Sequence, residues 1–142
     1  MLMTMPPVSD HDLRITVMRL ARRVRLARSD AAVTDGQFSV LFTLHADGPQ
    51  TLRSLSDSEC VTPPSMNRTI NALEDARLVS RHASPDDGRK VTIDLTPEGK
   101  TVVKETRRKR DEWFSTRLAA LTPEQRATLA DAAPILKELA DS

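Results

Sequence analysis

Apolar residues recur at helical spacing along most of this chain and at strand spacing in one short stretch. Leu13, Val17, Leu20, Val24 and Ala27 make the first stripe; with Ser9 or Asp10 as N-cap they predict a helix to about Ser29. Arg14, Arg19, Arg22, Arg23, Arg25 and Arg28 fill much of its remaining surface. Thr34 and Gln37 read as a capping box, from which Phe38, Leu41, Phe42 and His45 carry a second helix to the stop at Asp47-Gly48-Pro49. Gln50 or Thr51 opens a short helix holding Leu52 and Leu55, with Cys60 nearby. Thr62 followed by Pro63 then gives an N-cap and a first-turn proline, and a helix to about Ala76 buries Met66, Ile70 and Leu73.

Beyond this helix the period changes. Val79–Ala83 and Lys90–Leu95 read as strands, the second alternating Val91, Ile93 and Leu95 with Thr92 and Asp94. Between them, Ser84-Pro85-Asp86-Asp87-Gly88-Arg89 is dense in turn formers, and Asp87-Gly88 is a strong hairpin signal. Thr96-Pro97 restarts a long helix reaching Trp113, Phe114 and Leu118. Thr122 with Gln125 boxes a final one carrying Leu129, Ala132, Ile135, Leu136 and Leu139. The expected fold class is mainly α with a small β-hairpin wing. A winged helix-turn-helix spans residues 34–96, between helical arms at 10–29 and 97–142.

Composition narrows the function by exclusion. With 39% hydrophobic and 29% charged residues, the 142-residue chain has an ordinary globular make-up, and no apolar run approaches the ~20 residues of a membrane helix. The first residues lack the basic and apolar regions of a secretory signal, and a single cysteine, Cys60, leaves no internal disulfide or Cys-rich zinc site. A cytoplasmic protein without membrane association is expected. The glycines stand too far apart for a Walker loop or a dinucleotide fingerprint, the histidines are scattered, and no Gly-x-Ser-x-Gly elbow occurs. Neither an enzyme nor a metal or cofactor site is expected. Basic and acidic residues nearly balance, 21 against 20, with net +4 over residues 1–110 and −3 over residues 111–142. Any nucleic-acid function must therefore rest on a few placed side chains.

A short helix, a tight turn, a second helix and a hairpin form a motif whose second helix fits the ~12 Å major groove of DNA. At about 100° per residue, Ser65, Arg68, Thr69 and Ala72 fall opposite the buried stripe, with Asn67 and Asn71 on one flank. Arg68 suits guanine O6 and N7, and the asparagines suit adenine. Ser65, with the backbone N–H groups of Ser65 and Met66, lies near a helix N-terminus where the dipole favours phosphate, although Pro63 and Pro64 shrink that site. The same face also reads as the plain solvated side of an amphipathic helix. Arg89 at the hairpin tip suits a minor groove, braced by Asp87, and the pair equally reads as a surface ion pair.

The segment Asp87-Gly88-Arg89 leading to Leu95-Thr96-Pro97-Glu98-Gly99 resembles the wing signature of MarR-type bacterial transcriptional regulators, Asp-x-Arg followed by Leu-Thr-x-x-Gly. Thr62-Pro63-Pro64-Ser65-Met66-Asn67-Arg68 through Ala72-Leu73-Glu74 to Leu78-Val79 resembles that family's recognition helix and following strand, and the likeness in element order spans the chain. The resemblance implies a homodimer joined through the N-terminal and last two helices, and double-stranded DNA as partner. It implies repression from a pseudo-palindromic operator and release by a small, often aromatic ligand. It would set Ser65, Asn67 and Arg68 in the major groove and Arg89 in the minor groove, with Asp87 orienting Arg89. Two positions depart from the pattern. Arg77 stands where a C-capping glycine is usual, so it adopts a left-handed conformation or the helix ends differently. Ala72 replaces a common basic residue.

Leu13, Val17, Leu20, Leu129, Ile135, Leu136 and Leu139 supply apolar faces that a second copy would cover, the alternative being packing within one chain. The run Lys104, Arg107, Arg108, Lys109 and Arg110 reads as a solvated face or as a contact to flanking DNA. Phe38, Phe42 and Trp113 are the candidate lining of an effector pocket, or plain core. Cys60 reads as a small buried thiol rather than an oxidant sensor. Two other functions use the same fold: a winged-helix protein–protein adaptor, and a chromosome-associated protein binding DNA without sequence preference.

Overall fold

The computed structural model describes residues 7–142 except Ser29, Ala31, Pro85 and Asp87. Six helices and three strands follow in the order α1 (Asp10–Leu26), α2 (Asp35–Asp47), β1 (Gln50–Thr51), α3 (Leu52–Glu59), α4 (Pro63–Asp75), β2 (Val79–Ala83), β3 (Val91–Leu95), α5 (Pro97–Ala119) and α6 (Pro123–Asp141). Each of these helices begins at a hydroxyl cap. Ser9, Thr34, Thr51, Thr62, Thr96 and Thr122 accept from the backbone N–H three residues on, and Gln37 and Gln125 close reciprocal capping boxes. Such a cap contributes roughly 1 kcal/mol, enough to fix where each helix starts.

Helix α1 stops at Leu26, short of the predicted end near Ser29, which itself lies outside the described residues. Arg110 of α5 meets this end of the helix, donating to the carbonyls of Ala27 (3.2 Å) and Arg25 (3.3 Å) and so satisfying acceptors of its last turn. A guanidinium there also complements the negative end of the α1 dipole.

Strands β2 and β3 pair antiparallel as predicted, with Val79 opposite Leu95, Arg81 opposite Ile93 and Ala83 opposite Val91. The second strand starts at Val91 rather than Lys90. A third strand was not anticipated: β1 pairs with β3 through Gln50 opposite Ile93 and Thr51 opposite Thr92, giving the sheet order β1-β3-β2. Two residues are too few to show a period of two.

The core joins Phe38, Val40, Leu41 and Leu44 of α2 to Leu55, Met66, Ile70, Leu73, Leu78, Val79, Ile93, Leu95 and Val103. With Val33 just ahead of α2, it otherwise lies within the winged module and the first turns of α5. The described residues of α1 and α6 include no buried side chain.

Helix α4 ends in the first of the two ways open to it. Arg77 takes φ 62°, with its N–H on Glu74 O and that of Leu78 on Leu73 O, both at 2.9 Å, which is the Schellman arrangement built without glycine. The Leu-Thr-Pro-Glu-Gly segment then docks on this end. Thr96 donates from its hydroxyl to Arg77 O (2.6 Å) and from its N–H to Leu78 O (3.1 Å), while its hydroxyl oxygen accepts from Gly99 N–H (3.0 Å). A Cβ on Gly99 would lie 2.1 Å from Leu78 O, so only glycine permits this approach.

Candidate nucleic-acid interface

Helices α3 and α4 are joined through Cys60, Val61 and Thr62. Cys60 caps α3 in the left-handed region at φ 55°, and Val61 N–H returns to Ser56 O at 3.1 Å. This turn points outward, so Cys60 is exposed and the buried thiol expected from sequence is corrected.

The buried stripe of α4 is Met66, Ile70 and Leu73, as its periodicity requires. Asn67, Arg68, Asn71 and Ala72 are exposed, and Ser65 and Thr69 are half-buried. Thr69 spends its hydroxyl on Ser65 O at 3.3 Å. One expectation fails at the N-terminus of α4. Ser65 N–H already donates to Thr62 Oγ1 (3.3 Å) and Met66 N–H to Thr62 O (2.9 Å). With Pro63 and Pro64 lacking N–H groups, no backbone donor of that first turn is open to phosphate. Ser65 retains only its side chain for such a contact.

The wing lies beside this face. Ser84 N–H closes the hairpin on Lys90 O at 2.7 Å, and Arg89 is exposed near its tip. Asp87 lies outside the described residues, so its brace on Arg89 remains an expectation.

Sequence reasoning passed over the residue that ties the wing to α4. Arg81 on β2 donates from Nη1 to Glu74 Oε1 (3.0 Å) and from Nη2 to Asn67 Oδ1 (3.0 Å) and Asn71 Oδ1 (2.9 Å). Those acceptors stand at i, i+4 and i+7, one flank of a helix. That polar stripe, followed by an arginine on the next strand, was the available signal.

A cavity of about 390 Å³ opens between α1, α2 and α5, bordered by Arg25, Asp35, Phe38, Ser39, Phe42, Thr43 and Arg110 among others. The guanidinium of Arg110 stands 5.4 Å from the Phe38 ring centroid and 5.2 Å from that of Phe42. Burial lowers its pKa; the nearby Asp35 carboxylate opposes this, and Arg25 and Arg28 reinforce it. Phe38 and Phe42 therefore meet at one site, with ring centroids 6.2 Å apart. Trp113 is not part of that lining and is covered by Arg117, 3.7 Å from its ring centroid. The basic run on α5 divides: Arg110 turns inward, Arg108 pairs with Glu105 and Glu112, and Lys104, Arg107 and Lys109 are exposed.

A three-stranded wing against a helix-turn-helix, between helical arms, defines the winged helix-turn-helix class of DNA-binding regulators. The MarR family model matches residues 33–91. An HTH-type transcriptional regulator of Mycobacterium leprae is 41% identical over 130 residues, 92% of this chain and 91% of that one. FarR, an HTH-type transcriptional regulator of Neisseria gonorrhoeae, is 30% identical over 121 residues, 85% of this chain and 81% of that one. Among solved structures, Rv1404 of Mycobacterium tuberculosis matches with a TM-score of 0.82 at 26% identity, covering 93% of this chain and 92% of that one. A mutant MepR of Staphylococcus aureus, bound to an oligodeoxyribonucleotide, matches with a TM-score of 0.71 at 22% identity, covering 89% and 94%. The chain belongs to the MarR family, whose members are DNA-binding transcriptional regulators and not enzymes.

Proposed function

We propose that the chain is a cytoplasmic, homodimeric repressor that occupies a pseudo-palindromic operator and leaves it when a small aromatic ligand binds. Residues 34–96 form the DNA-binding module, and the arms at 10–29 and 97–142 form the dimer. Helix α4 enters the major groove with Ser65, Asn67, Arg68 and Asn71, and the wing brings Arg89, oriented by Asp87, to the minor groove. The observation that carries this reading is the exposed Asn67–Arg68 edge of α4 beside the wing. The oligonucleotide bound to the related MepR fold supports it.

Dimerisation is supported by the arms. Leu13, Val17, Leu20, Leu129, Ile135, Leu136 and Leu139 are all exposed in the single chain, Ile135 at 60% and Leu139 at 63%. Apolar surface of that extent is costly in water and is covered by a second copy. The effector site is the cavity at Phe38, Phe42 and Arg110. Its aromatic walls suit a planar ligand, and its position between both arms and α2 lets a ligand alter the spacing of the two α4 helices.

Fluorescence anisotropy against the chain's own upstream DNA and a scrambled duplex, across several salt concentrations, tests the reading. A preference of ~10³-fold or more with a steep salt dependence is expected, reduced by Arg68→Ala and by Arg89→Ala. Equal binding to both duplexes would leave a non-specific chromosome-associated protein, and no binding at any salt a protein adaptor.

A further inference from the structure

The arrangement around Arg81 bears on which bases the asparagines can read, an inference that rests on the proposed placement of α4 in the major groove. A guanidinium only donates, so the amide atom that each asparagine turns toward it is the oxygen. Nη2 of Arg81 holds Asn67 Oδ1 at 3.0 Å and Asn71 Oδ1 at 2.9 Å, while Nη1 is anchored on the Glu74 carboxylate at 3.0 Å. Both amides are thereby oriented the same way, with the NH₂ end turned from the wing strand.

We infer that Arg81 is a positioning residue for base recognition, which fixes Asn67 and Asn71 as hydrogen-bond donors to the major groove. Asparagine reads adenine by donating to N7 and accepting from the N6 amino group at once. Here the accepting oxygens are engaged by a charged donor, whose hydrogen bonds are roughly twice as strong as those of a neutral amino group. Each oxygen keeps a second lone pair, but its direction is fixed toward Arg81 rather than toward a base, so adenine's two-point contact is weakened. The edges that suit these donating amides best present acceptors without a neighbouring donor: guanine with N7 and O6, or thymine with O4, whereas adenine offers N7 beside an amino donor. Cytosine, whose major-groove edge is an amino donor, is disfavoured. The adenine reading expected from the residue types alone is thus replaced by guanine or thymine opposite Asn67 and Asn71.

The test is selection of preferred sites from a randomised duplex pool by the full-length protein and its variants, with folding checked by circular dichroism. The wild type is expected to yield a motif in which base pairs lost on Asn67→Ala or Asn71→Ala carry guanine or thymine toward the helix. Arg81→Met frees both oxygens, and the adenine-to-guanine preference at those pairs is expected to rise at least about tenfold, with the pair read by Arg68 unchanged. Arg81→Lys, which keeps a charged donor, is expected to restore much of the guanine preference.

Asn71→Asp retains the acceptor facing Arg81 and so preserves folding. Its remaining oxygen accepts, so the preference at its pair is expected to invert toward cytosine or adenine. A uniform fall in affinity on Arg81→Met without a change of preference would overturn the inference and leave Arg81 a structural clamp, as would adenine at the asparagine-dependent pairs of the wild type. A motif indifferent to Arg68→Ala and to both asparagine variants would instead overturn the placement of α4 itself, and this inference with it.

Discussion

Replacing either of two helical glycines by alanine should move stability in opposite directions. Gly99 and Gly36 both sit in the first turn of a helix, and in an exposed helix interior the change to alanine would stabilise by ~1 kcal/mol. A Cβ at Gly36 meets nothing within 4 Å, so Gly36→Ala should show most of that gain. At Gly99 the same carbon would lie 2.1 Å from Leu78 O and 3.1 Å from Leu78 C, backbone atoms that cannot rotate away. Helix α5 must lift, weakening the Thr96 bonds to Leu78 O and Arg77 O at ~1 kcal/mol each, with ~1–3 kcal/mol of overpacking added. Against the ~1 kcal/mol gained by alanine in the helix, the net cost is ~2 kcal/mol or more. For 142 residues the unfolding entropy is about 0.3 kcal/mol/K, so Gly99→Ala should lower Tm by about 7 °C and Gly36→Ala raise it by about 2–3 °C. Thermal unfolding by circular dichroism at one fixed protein concentration is the assay, since the proposed dimer would make Tm concentration-dependent. A Gly99→Ala protein as stable as the wild type would refute the argument that the wing signature needs glycine for close approach.

Arg77→Gly relieves a left-handed arginine at φ 62° and should stabilise by about 1 kcal/mol, read as a rise in Tm of about 3 °C. Arg110→Met removes the guanidinium stacked on Phe38 and Phe42 together with its bonds to the Ala27 and Arg25 carbonyls. A loss of about 2 kcal/mol in denaturant unfolding is expected, and an unchanged midpoint would count against Arg110 as the tie between α1 and α5. Introducing charge on the exposed arm with Leu136→Glu and Leu139→Glu should convert the proposed dimer to monomer in sedimentation velocity while leaving the circular dichroism of the winged module intact.

Local signals made most of the fold legible. A hydroxyl cap acts within four residues, and all six helix starts were written as Ser or Thr ahead of a periodic stripe. The hairpin strands carried their own alternation. What sequence did not reveal depends on residues meeting from afar or on conformations that leave no pattern. Strand β1 exists only through its pairing with Ile93 and Thr92. The outward, left-handed Cys60 carries no glycine to announce it. The anion site expected at α4 is closed by Thr62, whose hydroxyl and carbonyl take the N–H groups of Ser65 and Met66. Arg81 reaches acceptors 7, 10 and 14 residues away, a convergence that no periodicity encodes.

These connections also explain how one long helix can serve two ends of the molecule. Near its start, α5 approaches the Leu78 carbonyl with no Cβ between them, and Thr96 holds the same turn by hydrogen bonds. Eleven residues on, about 16 Å at helical rise, Arg110 lies against Phe38 and Phe42 and grips the end of α1. Leu78 leads directly into β2, whose Arg81 holds Asn67 and Asn71 on α4. A shift of α5 relative to α2 therefore cannot be absorbed at Gly99, where the fit is tight, and must be shared by β2 or by α4. The cavity beside Arg110 and the exposed Asn67–Asn71 face of α4 thus stand at opposite ends of a contiguous set of contacts. The Gly99→Ala variant loosens that set at its narrowest point, so its DNA affinity should fall further than that of another variant with an equal loss of Tm.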